Sequence, residues 1–298
     1  MQNRFFELLR LSTFAFGLVF VSLFFYTQLF SVFVANVILG ERIPEEKIQP
    51  IFEDYSEGKM DFSTMFSEFS KIKDPIEKTF LKEFQETPQL IFNSFYDLVF
   101  LEKPHLLLGH SILWLLCYVI LGYIVYKKFL QIPVNTLQDD ISIRILLRGI
   151  GYGFICYLAV NVFGMILVAL KIPVETGAFA YKLSSALSGN GYLLAWGVYV
   201  VGIITGILEE LFFRGFLLKS FADKNLAQEG LLIISLLFGF LHRTDGTSIA
   251  IPFILSGVGL FFGYIYLKSN NIWIAIACHA TYNSLGLLGA YFQLPGIK

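Results

Sequence analysis

The sequence predicts an all-α fold, a polytopic transmembrane helical bundle of about seven or eight spans carrying a helical extracytoplasmic insert. Three observations predict it. Of 298 residues, 56% are hydrophobic, 17% aromatic and only 15% charged, a composition too apolar for a water-soluble domain of this size. The stretch Leu11 to Gly40 holds no charged residue for thirty positions, about 45 Å of helix, too long for the apolar core of a signal peptide. Further apolar stretches follow at 104–126, 149–170, 191–218, 231–242, 249–267 and 272–293, each bounded by charge, Gly or Pro.

Residues 1–40 read as the first transmembrane helix, tilted or broken to accommodate its length. Residues 41–103 are of a different kind and hold 12 of the 23 acidic residues by Glu86. Their apolar positions, among them Phe52, Phe62, Phe66, Phe69, Phe80 and Phe84, fit short amphipathic helices punctuated by Pro50, Pro75 and Pro88. This insert suits a water-facing cap or a surface-lying segment, and it is the place where a partner would bind. Residues 104–298 form the transmembrane core, with the candidate motifs in 190–290. The 231–242 stretch is barely twelve residues, about 18 Å, and is the weakest of the spans.

Orientation follows from the short loops. Arg4 and Arg10 precede the first span, Lys127, Lys128, Arg144 and Arg148 flank the loop after the second, and Lys219 and Lys224 follow the fourth. These favour the cytoplasm, which puts the N-terminus inside and the acidic insert outside. The formal net charge of −1, with no basic tract, argues against nucleic acid as a partner. Cys117, Cys156 and Cys278 are scattered through apolar segments and make neither a disulfide framework nor a C-x-x-C pair.

Against this background five side chains stand out in the apolar last third: Glu209 with Glu210, His242, His279 and Asn283. An intramembrane carboxylate costs roughly 2.5–3.5 kcal/mol on insertion scales, so its presence points to function. Measured along each helix from the nearest cytoplasmic end, Glu209 lies about 15 Å from Lys219, His242 about 18 Å from Gly230 and His279 about 14 Å from Asn270. Three helices of alternating direction therefore bring their polar groups to one depth.

The first element is an E-E-x-x-x-R pattern, Glu209 to Arg214. Glu210 and Arg214 stand at i and i+4 in the favourable order for an ion pair, whereas Glu209 is rotated about 100° away and is free for another partner. The second is Phe238-x-x-x-His242, and the third His279-x-x-x-Asn283, whose ends share a helix face. A carboxylate and a His held out of water can bind and deprotonate a water molecule, while a second His with an amide can receive the oxyanion of a tetrahedral intermediate. The chemistry is hydrolysis of an acyl bond, with no cofactor. Zinc is the alternative use of Glu and His, but no H-E-x-x-H occurs. There is no G-x-S-x-G elbow for serine chemistry, and Gly206, Gly215, Gly239, Gly257, Gly259 and Gly263 read as sites of close helix packing. Without duplicated halves the carboxylates and histidines do not read as a transporter's proton relay.

Taken in order, the three elements resemble the CPBP family of intramembrane glutamic endopeptidases, which includes the type II CAAX prenyl endopeptidases. The resemblance implies that Glu209 activates water with His242, that His279 and Asn283 bind the oxyanion, and that Glu210, Arg214 and Phe238 support them. It implies a multi-pass protein of the bacterial plasma membrane acting on a membrane-associated protein or hydrophobic peptide. The family also includes non-proteolytic scaffold and immunity proteins that bind a partner membrane protein, the alternative reading for this chain.

Overall fold

The computed structural model describes residues 2–130, 139–244 and 246–294. Among the described residues there are eleven helices and no strand: α1 (Gln2–Arg42), α2 (Glu45–Ser56), α3 (Phe62–Glu86), α4 (Pro88–Leu101), α5 (Pro104–Lys128), α6 (Ile143–Ala169), α7 (Ala178–Leu187), α8 (Gly191–Ala222), α9 (Ala227–Leu241), α10 (Ala250–Ser269) and α11 (Ile272–Tyr291). Six of these, α1, α5, α6, α8, α10 and α11, are long and apolar enough to cross a membrane. That is fewer than the seven or eight expected from hydropathy. The difference lies in α9, whose 15 residues rise only about 22 Å against a hydrocarbon core of roughly 30 Å.

The chain divides into two compact units, Met1–Tyr26 with Lys103–Lys298, and Thr27–Glu102. The second unit takes in the last part of the first apolar run. Val34, Ile38 and Leu39 of α1 are buried, as are Met65 and Phe80 of α3 and Ile91, Phe95, Val99 and Phe100 of α4. Phe30 lies against Phe92 and Phe95, and Arg42 reaches Glu83 at 2.6 Å with its guanidinium 5.1 Å from the Phe80 ring. Helix α1 is therefore not broken: it is continuous over Gln2–Arg42, and residues 27–42 supply core to a small helical unit. Pro88 opens α4 at its first turn, as punctuation requires, whereas Pro50 and Pro75 sit inside α2 and α3. Each can leave out one backbone hydrogen bond and bend its helix without ending it.

In the first unit the packing is organised around α11, which is approached on two faces by glycine pairs four residues apart. On the α6 side, a Cβ at Gly149 would lie 2.5 Å from the Ala277 Cβ, and one at Gly153 would lie 2.5 Å from the Cys278 carbonyl oxygen. From α8, a Cβ at Gly202 would meet the Ser284 hydroxyl at 2.5 Å and one at Gly206 the Ala280 nitrogen at 3.2 Å. Within a bilayer there is no hydrophobic drive between helices, so such close backbone approach supplies dispersion contact that bulkier residues would forbid. Of the glycines read from the sequence as packing sites, Gly206, Gly239, Gly259 and Gly263 do face neighbouring helices, but Gly257 faces open space. Gly153→Val should wedge α6 from α11 and lower the melting temperature, at a cost of about 1–3 kcal/mol. Gly151, with nothing within 4 Å of a Cβ, should accept Ala with unchanged or higher stability. Equal melting of both variants in detergent would contradict this packing.

The ends of α6, α10 and α11 are tied together by side chains. Asp139 Oδ2 accepts from the Ile272 amide at 2.7 Å, Trp273 Nε1 donates to the Asp139 carbonyl at 3.1 Å, and Asn271 donates to the Asp140 carbonyl at 2.8 Å. Asn270 ends α10 in the left-handed region at φ 47°, and the Asn271 side chain caps α11. The register of α11, which carries His279 and Asn283, is thus set at its first turn.

Candidate active site

Glu209 and Glu210 lie on α8 just before its backbone loosens from α to π winding over Leu211–Leu218, and a second π stretch, Val198–Ile204, precedes them. Local π winding recurs at functional sites because it re-aims side chains without breaking the helix. Both carboxylates are buried, and so is Arg214.

Arg214 Nη1 donates to Glu210 Oε1 at 2.7 Å, the ion pair expected at i and i+4. Its Nη2 donates to the Gly259 carbonyl at 2.7 Å across the helix pair. The guanidinium also lies 4.9 Å from the Phe238 ring centroid, 5.4 Å from Phe262 and 6.0 Å from Phe213, so three aromatic faces replace the water it gives up. Gly259 admits this arrangement because a Cβ there would press on Phe238 at 3.0 Å.

His242 follows the last residue of α9, and its Nδ1 lies 2.7 Å from the Phe238 carbonyl. His279, in the middle of α11, rests on Phe262 with ring centroids 4.7 Å apart, and its Nδ1 lies 2.8 Å from Glu210 Oε1. The second nitrogen of each ring faces the other carboxylate: Glu209 Oε2 stands 4.0 Å from His242 Nε2 and 3.8 Å from His279 Nε2. Those separations are too long for direct hydrogen bonds. Glu209 Oε2 has no hydrogen-bond partner in the protein although it is buried. Side-chain exposure is 8% at Glu209 and 4% at His279 but 36% at His242, so the cluster reaches its surroundings through His242.

Glu209, Glu210, Arg214, Phe238, His242 and His279 therefore meet in one place. Asn283, one turn along α11 from His279, donates from Nδ2 to the Val201 carbonyl at 3.0 Å, within the first π stretch of α8. That leaves one amide N–H and the side-chain oxygen for other use. His105 and His110 pair with aromatic rings elsewhere, at Trp196 and Tyr26. Among the described residues no three His, Cys, Asp or Glu side chains stand at metal-holding spacing. Sequence reasoning missed Phe262 and Val201, whose only signal is membership of an apolar helix. It also missed the bond from His279 to Glu210, because nothing local marks a pairing across 69 residues.

Comparison with known proteins covers this part of the chain. Residues 191–285 match the family model described as Rce1-like, type II CAAX prenyl endopeptidase Rce1-like. The match takes in every residue of the site. The UPF0177 protein YxdF of Lactococcus lactis subsp. lactis (strain IL1403) is 31% identical over 101 residues, which are 32% of this chain and 54% of that protein. The chain thus spans about half the length of that curated relative. No solved structure gives a significant match. Residues 191–285 are thus similar to Rce1-like proteins, and the chain, with six apolar helices of spanning length, is an integral membrane protein.

Proposed function

We propose that the chain is an intramembrane endopeptidase that cleaves a peptide bond of a membrane-associated protein or hydrophobic peptide with water activated by Glu209 and His242. The observation that carries this reading is the division between the two carboxylates. Glu210 is neutralised by Arg214 at 2.7 Å, while Glu209 Oε2 faces the Nε2 atoms of two histidines at 4.0 and 3.8 Å with no protein partner of its own. Such gaps are what a bridging water closes. Glu209, assisted by His242, takes the water proton as the oxygen attacks the scissile carbonyl carbon. His279 and the remaining N–H of Asn283 then receive the oxyanion. Collapse of the tetrahedral intermediate breaks the C–N bond, and the stored proton passes to the leaving amine. Phe238 and Phe262 keep the surroundings dry, which strengthens each of these interactions.

The loop charges orient the protein with its N-terminus in the cytoplasm and the 41–103 segment outside a bacterial plasma membrane, where that segment is free to select a partner. No cofactor is needed in this mechanism. Turnover in detergent should accordingly survive prolonged treatment with a zinc chelator. Loss of activity that stoichiometric zinc restores, with Glu209, His242 and His279 each required to retain the metal, would make the site a metalloprotease instead.

A further inference from the structure

The second unit leaves an apolar surface uncovered. Its buried apolar residues come from α1, α3 and α4, and α2 contributes none. Yet α2 is not polar throughout: Ile48, Ile51, Phe52 and Tyr55 recur at helical spacing. Residues 57–61 turn the chain back, with Gly58 in the left-handed region at φ 73° and Asp61 accepting from the Thr64 amide at 2.7 Å to cap α3. The resulting hairpin brings Tyr55 against Phe62, ring centroids 6.3 Å apart, and Phe52 against Phe69 at 5.9 Å. Phe62 and Phe66 stack at 6.2 Å. Five rings therefore form one seam along α2 and α3. Four of them stand in the open: Phe62 is 62% exposed, Phe66 58%, Phe52 44% and Tyr55 41%. Contiguous exposed apolar surface of this kind marks an interaction site.

The charge of the hairpin selects the occupant. Residues 48–72 hold five acidic side chains, Glu53, Asp54, Glu57, Asp61 and Glu68, against Lys59 and Lys71. Both lysines are already engaged within the hairpin, Lys59 with Asp54 at 3.2 Å and Glu57 at 2.6 Å, Lys71 with Glu68 at 2.6 Å. The surplus is negative. A second copy of the chain would bring like charge to like, and so would an anionic bilayer; helices that lie on membranes carry Lys and Arg on their polar faces instead. A segment with one apolar and one cationic face complements both the rings and the charge.

We infer that the α2–α3 hairpin is a docking surface for a cationic amphipathic peptide segment, with the segment's apolar side on the Phe52, Tyr55, Phe62 and Phe66 rings and its lysines or arginines toward the surplus acid. This goes beyond the protease reading and does not depend on it. A chain that cuts nothing can still dock such a segment, and binding is measured without turnover.

The test uses the full chain in nanodiscs of phosphatidylcholine, a lipid without net charge, and three short fluorescent peptides: an amphipathic helix of Leu and Lys, the same helix with Glu for Lys, and the Leu–Lys composition shuffled to remove the apolar face. Anisotropy, with the signal of empty discs subtracted, should show binding of the first peptide and at least roughly tenfold weaker binding of the other two. Phe62→Ser with Phe66→Ser should weaken the first peptide by roughly tenfold or more, and Glu53→Gln with Glu57→Gln should weaken it roughly threefold and flatten its dependence on salt. Equal binding of the acidic or shuffled peptide, wild-type affinity in either variant, or no binding of the Leu–Lys peptide beyond empty discs would overturn the inference. The first and last of these comparisons need only the wild-type chain. Ser63→Cys, exposed beside Phe62 in a chain whose own Cys117, Cys156 and Cys278 are buried, separates the other occupants. Without peptide, a dye at this position should stay unquenched by spin-labelled lipid, and two such chains should not cross-link on oxidation. Quenching would place the bilayer on the seam and cross-linking a second copy, and either result would overturn the proposal.

Discussion

Glu209→Gln should abolish peptide cleavage while leaving the protein folded. The amide keeps the volume of the carboxylate, and no ion pair with Arg214 is lost, because Arg214 spends Nη1 and Nη2 on Glu210 and Gly259. What disappears is the group that accepts the water proton, and loss of a general base costs roughly 10²–10⁴-fold. Comparing the membrane and secreted peptidomes of cells that express the wild-type chain or this variant would show the effect and identify the substrate together. Wild-type levels of the same cleavage products in the variant would remove Glu209 from the chemistry. Identical peptidomes in cells that also match a strain without the protein would favour a non-proteolytic partner-binding role.

Arg214→Leu should be the most destabilising single change in the catalytic bundle. Arg214 is among the largest fully buried side chains of the described residues, and its loss strips Glu210 of its cation and leaves it only the bond from His279, frees the Gly259 carbonyl and opens a space between Phe238 and Phe262. Breaking one side of a buried ion pair costs about 3–5 kcal/mol. Removing both charges in Arg214→Leu with Glu210→Leu should recover part of that stability, because neither member of the pair is left stranded, yet should not recover activity, because His279 has lost its carboxylate. Thermal unfolding in detergent and turnover on the same samples test both statements. A single variant that melts like the wild type would show that Arg214 is not what holds α8 to α10.

The apolar core of residues 27–102 shows what hydropathy alone leaves open. Phe30, Val34, Ile38 and Leu39 would read identically in a lipid-facing helix and in the interior of a small helical unit, since both environments exclude water. Only their packing against Phe92, Phe95 and neighbouring residues separates the two. The same limit applied to the glycines: Gly206 and Gly257 are equivalent in a list of small residues, but one is pressed against Ala280 and the other faces nothing.

The site divides along similar lines. Helical class, the apolar segments, the three motif elements and the Glu210–Arg214 pair were all legible in the sequence, because each depends on composition or on spacing within one helix, where rise and rotation per residue are constant. The shared depth of Glu209, His242 and His279 followed from the same constants. Helix geometry says nothing about the azimuth at which one helix meets another. That decision belongs to tertiary packing, through the glycine contacts of α6 and α8 on α11 and the Asp139 anchor at its first turn. These turn His279 so that one nitrogen meets Glu210 and the other faces Glu209, and they set Asn283 on the Val201 carbonyl. The sequence alone determined which groups the site contains; the packing of α11 decided which carboxylate each nitrogen faces, because that depends on interhelical approach, which no spacing within a single helix encodes.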